Sequence, residues 1–134
     1  MIRNVFAGIV ASDIEQARLW YAGVFGREPD AAPMGGLYEW RLGDHCVQLV
    51  ELDTVRHIQD LPAWGTSGAS SITLVVNDAV SAAKAAVASG GKNVSHFEGP
   101  AFQTWSVCDP EGNLVTFLEY GASENTREAP ESPS

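Results

Sequence analysis

The chain has 134 residues, 45% hydrophobic and 19% charged, and its formal net charge is −9. That length suits one domain with a real core, and the negative charge repels phosphate, which excludes nucleic acid and anionic membrane surfaces as natural partners. No stretch approaches the ~20 apolar residues of a membrane span. Met1 to Val10 turns polar at Ser12-Asp13 before a signal-peptide core is complete, so a cytoplasmic location is expected. Cys46 and Cys108 have no CxxC spacing and make neither a metal knuckle nor a disulfide framework.

In chain order, the β-branched run Ile2 to Val10 predicts a strand. Ser12-Asp13-Ile14-Glu15 fits a capping box, in which Ser12 caps the helix and Glu15 reaches back. Ile14, Ala17, Tyr21 and Val24 follow at helical spacing, and Gly26 stops the helix. Leu37–Leu42 and Cys46–Leu52 flank the turn Gly43-Asp44 and predict a β-hairpin. Residues 53–69 are expected to be a loop, with Pro62, Gly65 and Gly68 as breakers. Ser71–Val76 predicts a second strand, Asp78 a cap, and Val80, Ala83 and Val87 a helical stripe ended by Gly90-Gly91. Thr104–Val107 and Leu114–Tyr120 predict strands joined by the turn Asp109-Pro110-Glu111-Gly112-Asn113. Residues 121–134, rich in Glu, Ser and Pro, predict a disordered acidic tail.

The pattern repeats. Each half reads strand, Asp-capped helix, glycine stop, hairpin, and Phe6 precedes Asp13 by the same interval as Ser71 precedes Asp78. With this repeat, Ile9-Val-Ala-Ser-Asp13 leading into Leu19-Trp20-Tyr21 and Phe25-Gly26, and Trp105 to Val115 around Asp-Pro-Glu-Gly-Asn, resemble the vicinal-oxygen-chelate superfamily of glyoxalases, bleomycin-resistance proteins and dioxygenases. The resemblance covers about residues 2–120 and implies one α+β domain over 1–120. Two βαβββ modules, about 2–52 and 70–120, would form a half-open barrel with a concave ligand cleft and helices outside.

In metal-dependent members of that superfamily each module supplies two ligands, drawn from His, Glu and Gln. The corresponding positions here are Phe6, Gln48, Ser71 and Thr116, of which only Gln48 is a plausible donor. The resemblance therefore implies no metal and no other cofactor. Strand alternation sets Ile72, Leu74, Val76, Val115 and Phe117 on a face under the helices, leaving Ser71, Thr73, Thr116 and Gln48 opposite.

Other chemistry-bearing residues carry weaker signals. Glu119 stands three residues past the family position and reads as a solvated strand-end carboxylate. His45, His57 and His96 fall in predicted turns or loops without a second donor at motif spacing. Trp20 reads as core, whereas Trp40, Trp64 and Trp105 offer flat aromatic surface to a planar or cationic ligand. The expected function is metal-free binding of a small molecule, an antibiotic or a metabolite, of cationic or aromatic character. Phe6, Trp40, Gln48, Trp64, Ser71, Thr73, Trp105 and Thr116 would form the site, and the resemblance implies a homodimer. The alternative is a lyase, isomerase or dioxygenase-like enzyme on the same fold, drawing on Gln48, Glu51, Glu119 and the three histidines.

Overall fold

A computed structural model describes residues 1–59 and 67–121, with backbone alone for 56–59. The elements are β1 (Phe6–Ala11), α1 (Ile14–Phe25), β2 (Ala31–Met34), β3 (Leu37–Leu42), β4 (His45–Glu51), α2 (Leu52–Gln59), β5 (Ser71–Val75), α3 (Ala79–Ala88), β6 (Lys92–Glu98), β7 (Phe102–Cys108) and β8 (Leu114–Tyr120). They form two four-stranded mixed sheets, β1-β4-β3-β2 and β5-β8-β7-β6. In each sheet the first strand of the module runs parallel to its last, and the other pairs are antiparallel. This is the expected pair of βαβββ modules, α+β in class, and the sheets do not close into a barrel.

Several elements depart from the sequence reading. The first strand starts at Phe6 because the pairing with β4 starts there, with Phe6 against Cys46; Ile2 and Val5 are left exposed. The helix cap is Asp13, whose carboxylate accepts from Gln16 N at 3.1 Å. Ser12 is no cap, since its N–H points at Glu111, and Glu15 turns instead to Arg18 and the Tyr38 hydroxyl. The predicted loop after β4 opens with α2, on which Val55 is buried. The stripe of α3 that packs inward is Ala79, Ala83 and Ala86, while Val87 stays exposed. Gly26 ends α1 in the left-handed conformation, as expected.

One core serves both modules. Trp20 and Tyr21 of α1 and the small residues of α3 pack with Ile9, Val47, Leu49 and Trp40 of the first sheet and Val107, Val115 and Phe117 of the second. Each fully buried Leu, Ile or Phe contributes about 1.5–3 kcal/mol, and all of this burial lies on the helix side. Trp20 Nε1 donates to Ala86 O at 3.1 Å, tying α1 to α3.

The Asp-Pro-Glu-Gly-Asn turn is the polar counterpart of that core. Asp109 is buried and accepts from Glu111 N, Asn113 N, Asn113 Nδ2 and the Tyr21 hydroxyl, the last at 2.7 Å. Asn113 is likewise buried, and its amide donates to Val10 O while its oxygen accepts from Ser70 N. Burial first, and then the Asp109 charge, push the Tyr21 phenol far above its ordinary range, so it remains a donor. Glu111 accepts from Ser12 N at 2.6 Å, from Asp13 N at 2.7 Å and from the Ser67 hydroxyl. A single turn in the second module therefore holds the β1–α1 junction of the first.

Candidate functional site: the open faces of the two sheets

The strand register decides which side chains can meet a ligand. On β1, Ile9 and Ala11 go under the helices, so Phe6 and Gly8 belong to the opposite face. Gly8 pairs with Gln48, which pairs with Glu39, giving a row of three across the first sheet. In the second sheet Thr73 pairs with Thr116 and Thr116 with Ser106, a row at the equivalent place. Phe6 corresponds to Ser71, Gln48 to Thr116 and Glu39 to Ser106. The structure thus places Phe6, Gln48, Ser71, Thr73 and Thr116 on the faces away from the helices.

Each row is hydrogen-bonded within itself. Gln48 Nε2 donates to Glu39 Oε2 at 3.0 Å, and the hydroxyls of Ser106 and Thr116 lie 2.9 Å apart. Around them lie open apolar side chains, with Phe6, Val75, Leu114 and Phe97 all more than a third exposed, and Arg41 stands on the same face as Glu39. Glu39 was missed from the sequence. Its face follows from its pairing with Gln48 and from the burial of its neighbour Trp40, neither of which the sequence displays.

The tryptophans do not join this surface. Trp40 is fully buried against Phe25, ring centroids 5.2 Å apart, and donates to Arg27 O at 2.9 Å. Its partner Val47 is also core, so Trp40 faces the helices and cannot line the open face. Trp105 pairs with Phe117 on the helix side, where His96 stacks on it at 4.3 Å and its Nε1 meets Gln103 Oε1. Trp64 lies outside the described residues.

The enzyme candidates are also dispersed. Glu119 accepts from Ala79 N at 2.8 Å and so assists the Asp78 cap of α3, a structural role rather than that of a solvated carboxylate. Glu51 accepts from the Thr54 hydroxyl. His45 begins β4 and is exposed, and His96 lies on β6 rather than in a loop. His57 belongs to α2, in the part of that helix described by its backbone alone. A depression of about 440 Å³ on the helix side is lined by Glu15, Arg18, Glu28 and Tyr38. Its carboxylates are all paired: Arg18 pairs with Glu15 and Glu28, Arg27 with the third lining carboxylate, Asp30, and the Tyr38 hydroxyl, then Arg18, hold the Glu15 carboxyl below its ordinary value.

The four positions that the resemblance assigns to metal ligands do not, as they stand in this sequence, fit a divalent ion. Phe6 has no donor atom, Ser71 and Thr116 offer neutral hydroxyls, and the Gln48 amide oxygen alone is a reasonable donor, which makes a poor site. No group of three or more His, Cys, Asp or Glu side chains is gathered in a metal-holding arrangement among the described residues. Among those residues, too, no helix is long and apolar enough to cross a membrane.

No family model matches the sequence, and no curated protein matches it significantly. Solved structures do match. A glyoxalase/bleomycin resistance protein from Catenulispora acidiphila aligns over 88% of this chain and 98% of its own, with 24% identity and a TM-score of 0.67. A glyoxalase-related enzyme from Fulvimarina pelagi aligns over 89% and 88%, with 14% identity and a TM-score of 0.74. A lactoylglutathione lyase from Agrobacterium tumefaciens aligns over 87% and 92%, with 20% identity and a TM-score of 0.70. With its two βαβββ modules and these neighbours, the chain has the vicinal-oxygen-chelate fold.

Proposed function

We propose that the protein binds a small organic molecule on the open faces of its two sheets, without a metal ion. What supports this reading is that Phe6, Gln48, Ser71 and Thr116, the residues that the resemblance sets at the ligand positions of metal-dependent members, lie on the open faces and offer no donor set for an ion. As pocket lining the same residues make sense: a ring to pack against, two hydroxyls and an amide. In this reading the chain is a homodimer of the bleomycin-resistance type, acting in the cytoplasm by sequestering an antibiotic or a metabolite. A second copy would also cover exposed apolar side chains such as Phe97 and Leu114.

Calorimetric titration with Zn, Ni, Mn and Fe(II) tests the metal-free reading. The expected result is no stoichiometric site, and a metal retained through purification without chelator overturns the reading. Sedimentation tests the assembly: a dimer is expected at micromolar concentration, and a monomer alone contradicts it.

A further inference from the structure

We propose that the row Gly8–Gln48–Glu39 of the first sheet is a recognition site for an organic cation with a planar amidinium or guanidinium group. The inference rests on the open-face reading above and assigns that face a ligand chemistry.

Four observations point to it. First, among the described strand residues of the two open faces, Glu39 is the single carboxylate. Second, it is half-buried, yet no Lys, Arg or His nitrogen lies within ion-pairing distance among the described residues. Even Arg41, the next residue on that face of β3, does not pair with it. Gln48 engages only Oε2, so the carboxylate keeps acceptor capacity for a donor from outside. Third, a Cβ built on Gly8 would have nothing within 4 Å, so there is open space beside Gln48, two residues from the Phe6 ring. A flat cation placed there would have an aromatic neighbour and an anionic partner, and guanidinium-like forks match carboxylates.

The fourth observation is an internal comparison. The equivalent row of the second sheet is Thr73–Thr116–Ser106, neutral and closed on itself by the hydroxyl pair. The βαβββ frame therefore needs neither an acid at the Glu39 position nor a gap at the Gly8 position. Their presence in one module alone marks that face as specialised.

The test uses benzamidinium and its neutral isostere benzamide, followed by NMR shifts of the Gln48 side-chain amide and the Thr116 backbone amide in the full chain. Benzamidinium is expected to move the Gln48 signal saturably, and benzamide to bind at least tenfold more weakly. Glu39→Gln should weaken benzamidinium at least tenfold with the rest of the spectrum retained, whereas Glu98→Gln, an equal change of net charge on exposed β6, should not. Gly8→Thr, which copies the second module, should abolish binding by filling the space. Equal binding of the two probes, or an unaffected Glu39→Gln variant, overturns the cation assignment while leaving the open faces as a binding surface. Absence of any shift at either face with either probe overturns both readings.

Discussion

Asn113→Ala is the sharpest test of how the two modules are held. The side chain is fully buried and makes three hydrogen bonds, to Val10 O at 3.1 Å, from Ser70 N at 2.9 Å and to Asp109 Oδ2 at 2.8 Å. Truncation leaves a buried carbonyl and a part-buried N–H without their partner and removes one donor from a buried carboxylate. A typical hydrogen bond contributes about 1 kcal/mol and a stranded buried group costs roughly 1–3 kcal/mol, so the loss should be about 3–4 kcal/mol. That is a large fraction of the 5–15 kcal/mol by which domains are usually stable. In urea unfolding, with a slope of about 2 kcal/mol/M, the midpoint should fall by roughly 1.5–2 M. Asn113→Asp should cost more still. It keeps an acceptor for Ser70 N but sets a second carboxylate against Asp109 in a buried site. A loss under about 1 kcal/mol for Asn113→Ala, or an Asp variant more stable than the Ala variant, would refute the argument that this turn fastens the modules.

Three further outcomes follow from the same seam and its surroundings. Burial is the largest influence on the Glu111 carboxyl and pushes it up, but the bonds from Ser12, Ser67 and Asp13 together outweigh it and hold the group below its ordinary 4.5. Its contribution to stability is therefore fully present above that ordinary value and is lost as pH falls through the lowered one; Glu111→Gln should be the less stable protein at pH 7, with the gap closing in acid, as read by unfolding across pH. Gly26→Ala should cost about 1 kcal/mol, since φ is +75° with open space around the new Cβ, while Gly68→Ala, at φ +87° with that carbon 2.6 Å from Glu111 O, should cost more in the same assay. Truncation after Gly121 should leave the thermal midpoint nearly unchanged, a prediction from the polar composition of residues 122–134 that a drop of more than a few degrees would contradict.

The elements that sequence made legible are those whose side chains alternate between core and surface. β5 and β8 were readable because Leu74, Val115 and Phe117 turn inward while Thr73 and Thr116 turn outward. β6 was not, because it is an edge strand exposed along its whole length, and Lys-Asn-Val-Ser-His-Phe-Glu carries no apolar period. β2 is four residues long and holds Pro33, which is tolerated only where a ladder bond is missing. α2 had a signal, Leu52, Val55 and Ile58 at helical spacing, masked by the glycines and prolines that follow. The candidate site was legible as far as the seven-residue interval before each capping Asp reaches: Phe6 and Ser71 fall on the open faces. The aromatic expectation failed because a lone tryptophan on a strand carries no mark of which face it takes until its partners are known. Trp40 is opposite Val47, and Trp105 opposite Phe117.

The division of labour between the two sides of each sheet explains why a fold can be kept while its chemistry drifts. Apolar burial lies on the helix side, and the buried polar groups Asp109 and Asn113 lie in the seam between modules. A substitution there loses packing or strands a polar group, so those positions resist change. The open faces carry no such burden. Gln48 and Glu39 bond to each other, as do Thr116 and Ser106, and neither pair is among the fully buried side chains. Two modules that share one frame can thus hold an amide–carboxylate pair in one place and a hydroxyl pair in the other at little difference in stability. What separates them is what each can recognise: the hydroxyl pair is self-satisfied, while Glu39, with no ion-pair partner among the described residues, keeps acceptor capacity for a donor from outside.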